Sequence, residues 1–188
     1  MNHLEQTLTE LRSAGRKLVV PYITGGFPAN WPELIGGLTN AGADAIEVGI
    51  PFSDPVMDGP TIQESSSKAL DMGVTPERVF NEVEKLESTV PLIAMTYYNI
   101  CFQMGHVAFA GRLKEAGFSG AILPDLALEE SADWREQANA NNIDSILLAA
   151  PTSTDERLAE IVEASSGFVY AVGLVGTTGE RNLSLIHI

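Results

Sequence analysis

Two rhythms of apolar residues alternate along this chain. In MNHLEQTLTELR, Leu4, Leu8 and Leu11 recur at the spacing of an amphipathic helix. KLVVPYITGGFP is then apolar over 18–23 and reads as a strand ended by Gly25 and Gly26. WPELIGGLTNAG returns to a helical pattern and stops at Gly42, and DAIEVGI is a second strand. Helices are expected near 61–72 and 76–88, the second with Thr75 as N-cap and Pro76 at its first position. PLIAMTY at 91–97 is a third strand, and residues 106–116 form a helix closed by Gly117. GAILPD is a fourth strand, and LEESADWREQANAN a helix with acids in its first turn, where the helix dipole favours them. DSILLAA is a fifth strand, TSTDERLAEIVEAS a helix capped at Ser153 or Thr154, and GFVYAVG a sixth strand before the Gly-rich loop GLVGTTGE.

The strands are short, apolar nearly throughout and rich in Ile, Leu, Val and Ala, as strands covered on both faces are in parallel sheets. Strand–helix alternation makes this an α/β fold, with the doubly wound sheet and the (β/α)8 TIM barrel in competition. No GxGxxG follows the first strand, and no P-loop is present. Chemistry-bearing residues follow strands 1, 2, 3, 4 and 6, and a barrel gathers all those strand ends on one face. The barrel is therefore expected. It needs eight strands and typically ~250 residues. This chain offers about six strands, so strands 7 and 8 are expected to be missing and the domain over 1–182 to be a partial barrel. LSLIHI, 183–188, has neither helix cap nor helical periodicity and resembles one reading frame of a common transposon-end sequencing adapter. It is expected to be a non-native tail, a short native strand being the alternative.

The bulk numbers narrow the class. A chain of 188 residues, 45% hydrophobic and 19% charged, suits one globular domain with a sizeable core. No apolar run approaches the ~20 residues of a membrane span, and the N-terminus has no apolar signal-peptide core. The single cysteine, Cys101, allows no internal disulfide and reads as a small buried hydrophobe, with a cytoplasmic home the default. A net charge of −14 repels nucleic acid and anionic lipid, so neither is an expected partner. It would repel a phosphorylated substrate too, so any phosphate must be held by local backbone N–H groups.

The densest chemistry lies in EVGIPFSDPVMDGPTIQ, residues 47–63, which carries Glu47, Asp54 and Asp58 and no basic residue. Alternation along DAIEVGI puts Glu47 on the side opposite Ile46 and Val48. In a barrel one of those sides is the packed interior. A carboxylate there is costly to ionise, its pKa rises, and it becomes a proton shuttle near neutral pH. A structural Glu bonded to backbone or tyrosine, or turned to solvent, is the alternative. Asp58 before Gly59-Pro60, and Asp54 between Ser53 and Pro55, also fit simple turn formation.

Taken together, EVGIPFSDPVMDGPTIQ resembles the second-strand signature of the tryptophan synthase alpha chain family. PYITGGFP, TYYN at 96–99, ILPDL at 122–126, LLAAPTSTDERL, GFVY and GTTG carry the resemblance over essentially 15–181. It implies the (β/α)8 barrel and the lyase reaction of tryptophan biosynthesis, retro-aldol cleavage of indole-3-glycerol phosphate to indole and glyceraldehyde 3-phosphate. It implies Glu47 as acid/base and Asp58 as holder of the indole N–H. Tyr170 matches the active-site tyrosine of the sixth strand, and Gly179 a phosphate-loop glycine. Thr178 matches the threonine that closes beside the second-strand loop, and Asp54 the aspartate tied to communication with the beta chain. The implied partner is that beta chain in an alpha2beta2 heterotetramer. Pyridoxal phosphate is expected only there, and no metal or cofactor here.

Other aldolase chemistries fit less well. Lys17 precedes a strand, Lys68, Lys85 and Lys114 fall on expected helices, and His3, His106 and His187 do not cluster. The sequence departs from the family at Met57, where a small residue is expected, and at Tyr22, where phenylalanine is usual in the substrate pocket. ALEE at 127–130 lacks the usual proline, and GLVG at 173–176 lacks Ser-Arg character. Most of the phosphate site belongs to strands 7 and 8, so the 188-residue chain alone is expected to be inactive and poorly soluble. A stand-alone indole-3-glycerol-phosphate lyase and a non-catalytic regulatory barrel remain the alternatives.

Overall fold

A computed structural model of the chain describes residues 2–173. Thr178, Gly179, the rest of the Gly-rich loop from residue 174 and the segment 183–188 lie outside the described residues. Helix α1 (His3–Ser13) precedes strand β1 (Tyr22–Thr24), followed by α2 (Trp31–Asn40) and β2 (Ile46–Gly49). Helices α3 (Pro60–Asp71) and α4 (Pro76–Val83) lead to β3 (Leu92–Met95). Then come α5 (Tyr98–Met104), α6 (His106–Ala116), β4 (Phe118–Ile122), α7 (Ala132–Ala140), β5 (Asp144–Ala149), α8 (Asp155–Ala164) and β6 (Val169–Ala171).

Several boundaries differ from the sequence expectation, each for a local reason. β1 is shorter than 18–23 because Pro21 has no N–H to donate, although its carbonyl still accepts from Glu47 N at 2.9 Å. α4 stops at Val83 rather than 88, its last turn tightening into i→i+3 bonds such as Leu86 N to Val83 O at 2.8 Å; Lys85 thus falls beyond the helix. The expected helix over 128–141 splits into a single 3₁₀ turn at Leu128–Glu130 and α7. Its Ser131 hydroxyl bonds the Leu128 carbonyl at 2.7 Å instead of leaving that group to a continuous helix. Helix α5 was not expected from the apolar pattern: YNICFQM buries only Cys101 fully, and seven residues are too few to show a period. The Thr75 and Thr154 caps form as expected, accepting from Arg78 N and Arg157 N, each at 3.2 Å.

The six strands form one sheet in the order β1-β2-β3-β4-β5-β6, every neighbouring pair parallel. A doubly wound sheet reverses its order at a switch point. Here each strand pairs with the next in sequence, the order of a (β/α)8 barrel. The two faces of β2 define two cores. Ile46 and Val48 join Trp31, Phe80, Phe109 and Trp134 between sheet and helices. The opposite face carries Ile93, Ile122 and Ile146, and α1 lays Leu4 and Leu8 against it. That helix is capped from far away: the Asp144 carboxylate accepts from Glu5 N and Asn2 Nδ2, each at 3.0 Å. Gly120 makes room for it, since a Cβ there would lie 2.8 Å from Leu4 Cδ2. On the outside, Arg112 of α6 lies over the Phe80 ring and binds Glu77, Asn81 and Glu84, fastening α6 to α4 and the turn after it. No helix among the described residues is long and apolar enough to cross a membrane.

Candidate active site

Strand alternation decides where Glu47 goes. With Ile46 and Val48 turned to the helices, Glu47 and Gly49 take the opposite face, level with Tyr22 and Ile93 on the neighbouring strands. Glu47 is 7% exposed. Burial pushes its carboxyl up to about 7. Among the described residues no hydrogen bond or ion pair reaches that carboxylate.

Tyr22 leans across Gly49, where a Cβ would stand 1.9 Å from the phenol oxygen. Burial is the main reason its phenol is pushed up to about 12. The Thr24 hydroxyl opposes that shift, and the Asp58 and Glu47 charges add to it. Thr24 in turn exchanges a 2.7 Å hydrogen bond with Ser65 of α3.

Asp58 ends the loop after β2. Its own N–H donates to the Pro55 carbonyl at 3.0 Å, and Gln63 Nε2 donates to its carbonyl at 2.9 Å, so the turn and the start of α3 are bound together. Burial raises the Asp58 carboxyl, and a hydrogen bond from Tyr97 opposes it. The Tyr97 Oη donates to Asp58 Oδ2 at 3.1 Å and accepts from Met57 N at 2.9 Å. Its ring stacks on Phe52 with centroids 5.1 Å apart.

Tyr170 on β6 is the fourth side chain. It is half-buried, and its phenol is raised by burial and then by the Glu47 and Asp58 charges. In a flat sheet β6 would stand roughly 19 Å from β2, four strand spacings away. Tyr170 instead packs, with Met95 and Leu148, against the interior-face residues Ile93, Ile122 and Ile146. Tyr22, Phe52, Asp58, Met95, Tyr97 and Pro124 line a cleft at the ends of the first strands.

Of the residues singled out from sequence, Glu47, Asp58, Tyr22 and Tyr170 come together. Asp54 stays on the exposed outer side of its loop, accepting from Ser53 Oγ at 2.6 Å. Tyr97 and Phe52 were missed. The one signal for Tyr97 was a phenol at the end of an apolar strand, facing a loop rich in proline. His106 is occupied by Tyr98 Oη at 2.9 Å. Cys101 is fully buried, and burial pushes its thiol up to about 12, so the hydrophobe reading holds.

Sequential parallel strands, with one buried carboxylate on the second strand and another on the loop after it, place the chain in the (β/α)-barrel class. The sequence profile described as tryptophan synthase alpha chain matches residues 8–187. The tryptophan synthase alpha chain of Burkholderia thailandensis is 43% identical, with 100% of this chain and 71% of that one aligned. The chain belongs to the tryptophan synthase alpha chain family. The Burkholderia ambifaria tryptophan synthase alpha chain is 44% identical over the same shares, 100% and 71%. Among solved structures, Mycobacterium tuberculosis tryptophan synthase matches with a TM-score of 0.89 and 38% identity, over 96% of this chain and 72% of that one. Tryptophan synthase subunit alpha from Legionella pneumophila matches at 0.86 and 37%, over 92% and 68%.

Proposed function

We propose that Glu47 moves the protons and Asp58 holds the indole nitrogen in the cleavage of indole-3-glycerol phosphate, the lyase reaction of this family in tryptophan biosynthesis. The observation that carries this is the state of Glu47: nearly inaccessible, without a partner among the described residues, and raised to about 7. Such a carboxyl is present as acid and as base near neutral pH.

Breaking the bond between the indole ring carbon C3 and the glycerol side chain requires that carbon to leave with the bonding pair. Glu47 in its acid form protonates C3, and positive charge develops on the ring nitrogen. Asp58, in its charged form, accepts the ring N–H and stabilises that charge, a contribution worth a few kcal/mol in a water-poor site. The side-chain hydroxyl then gives up its proton to the Glu47 carboxylate. Its oxygen becomes the aldehyde of glyceraldehyde 3-phosphate as the carbon–carbon pair returns to the ring. Proton count balances, and neither step calls for a metal or an organic cofactor.

Tyr22 and Tyr170 flank the ring, while Gly179 and Thr178 supply the phosphate grip and the closing contact. A beta chain in an alpha2beta2 assembly would carry the pyridoxal phosphate and receive the indole. The exposed Asp54 and its neighbour Val56, 74% exposed, form the side of the loop offered to it. A cytoplasmic setting follows from that metabolic role.

The test is indole release from indole-3-glycerol phosphate, measured with the chain alone and with a tryptophan synthase beta chain present. Glu47→Gln is expected to cut turnover by ~10²–10⁴ in whichever arm the unaltered chain is active, with substrate affinity far less affected. Unchanged turnover would rule out the proton-transfer role.

A further inference from the structure

The end of β3 is a post to which two loops are tied by three consecutive residues. Thr96 Oγ1 donates to the Ile50 carbonyl at 3.3 Å, where the Asp58 loop begins. Tyr97 Oη reaches Asp58 Oδ2 and Met57 N, where that loop ends. Tyr98 N donates to Asp125 Oδ1 at 2.7 Å, on the loop after β4. Of the three, only Tyr97 touches a side chain assigned to the chemistry. The residue is 6% exposed, and its ring is set by Phe52 at an interplanar angle of 20°. The hydroxyl therefore has one place to be.

We propose that Tyr97 is the positioning residue for Asp58, fixing both the direction of its carboxylate and its charged form at the indole nitrogen. The inference rests on the reading of Asp58 as the indole acceptor. The physical case has two parts. An ionised carboxylate offers about four lone-pair sites, so one phenol donor orients it without exhausting it. A donor to the charged form favours that form, and Asp58 needs this because burial works in the opposite direction. Accepting from Met57 N lets the same oxygen hold the backbone that presents Asp58, so carboxylate and loop cannot shift independently.

The experiment measures indole affinity by calorimetry from pH 5 to 9 for the unaltered chain, Tyr97→Phe, Asp58→Asn and the double variant. Tyr97→Phe keeps the ring on Phe52 and removes the hydroxyl, both the donor to Asp58 and the acceptor for Met57 N. It is expected to weaken indole binding ~10-fold at pH 7, the size of a hydrogen bond to a charged group. It should also move the acid limb of the binding profile to higher pH. In the Asp58→Asn background the same change should alter affinity less than about 2-fold, because its target is gone. An equal loss in both backgrounds, or an acid limb that stays in place, overturns the inference. Should Tyr97→Phe fail to fold, site-specific 3-fluorotyrosine at position 97, a stronger donor, must move the limb to lower pH; an unmoved limb overturns it equally. Asp58→Asn with full indole affinity would instead overturn the reading of Asp58 itself.

Discussion

The burial of Glu47 can be measured through stability, without substrate. A carboxyl raised in the folded state binds its proton more tightly there than in the unfolded chain. The stability it contributes is therefore complete below the unfolded value of 4.5 and lost as pH rises through about 7. At 1.36 kcal/mol per pK unit, the step from 4.5 to about 7 is worth about 3 kcal/mol. With Glu47 only 7% exposed, solvent screening takes little from that figure. Glu47→Gln removes the titration while keeping size and shape. Urea unfolding of both proteins from pH 4 to 9 should show Glu47→Gln gaining on the parent by ~1.4 kcal/mol per pH unit between 4.5 and 7, then running parallel above. Only the pH dependence of the difference matters, because the buried amide carries its own constant cost. A difference that is flat across this range would mean that Glu47 is as well solvated folded as unfolded, and the acid–base argument would fail with it.

Gly49→Ala drives a methyl to within 1.9 Å of the Tyr22 hydroxyl, so it should cost ~1–3 kcal/mol in urea unfolding and be largely rescued by Tyr22→Ala, a coupling a double-mutant cycle reads directly. Cys101, fully buried with its thiol raised to about 12, should resist a thiol-specific disulfide reagent at pH 8 in the folded chain and react at once in denaturant; rapid labelling without denaturant would contradict the packing of α5.

The order and kind of most elements were legible because the strands are buried on both faces and the helices on one, so the two patterns differ wherever an element is long enough to show a period, as α5 is not. Glu47 was legible for the same reason: a lone acid between Ile46 and Val48 must share its face with something, and alternation sent it to the interior. What the pattern could not carry was anything set by side-chain geometry across elements. Tyr97 is one apolar-looking residue among TYYN until its hydroxyl is seen at Asp58. That Tyr170 packs on the same face as Ile93 and Ile146 depends on the order of all six strands, a property of the whole sheet and of no local stretch. Asp144 read as the start of a strand, yet its carboxylate is spent on the first turn of α1.

That last contact sets an order in time. Glu5 and Asp144 are 139 residues apart. A ribosome adding ~5–20 residues each second needs on the order of ten seconds between them. Throughout that interval α1 lacks the carboxylate that caps it, and the floor under Leu4 and Leu8 stays incomplete until Ile146 follows. The first helix to be made is therefore among the last pieces to be seated. During synthesis the nascent N-terminus is a stretch a chaperone would find, and in the finished chain it is the stopper pressed into the underside of the sheet.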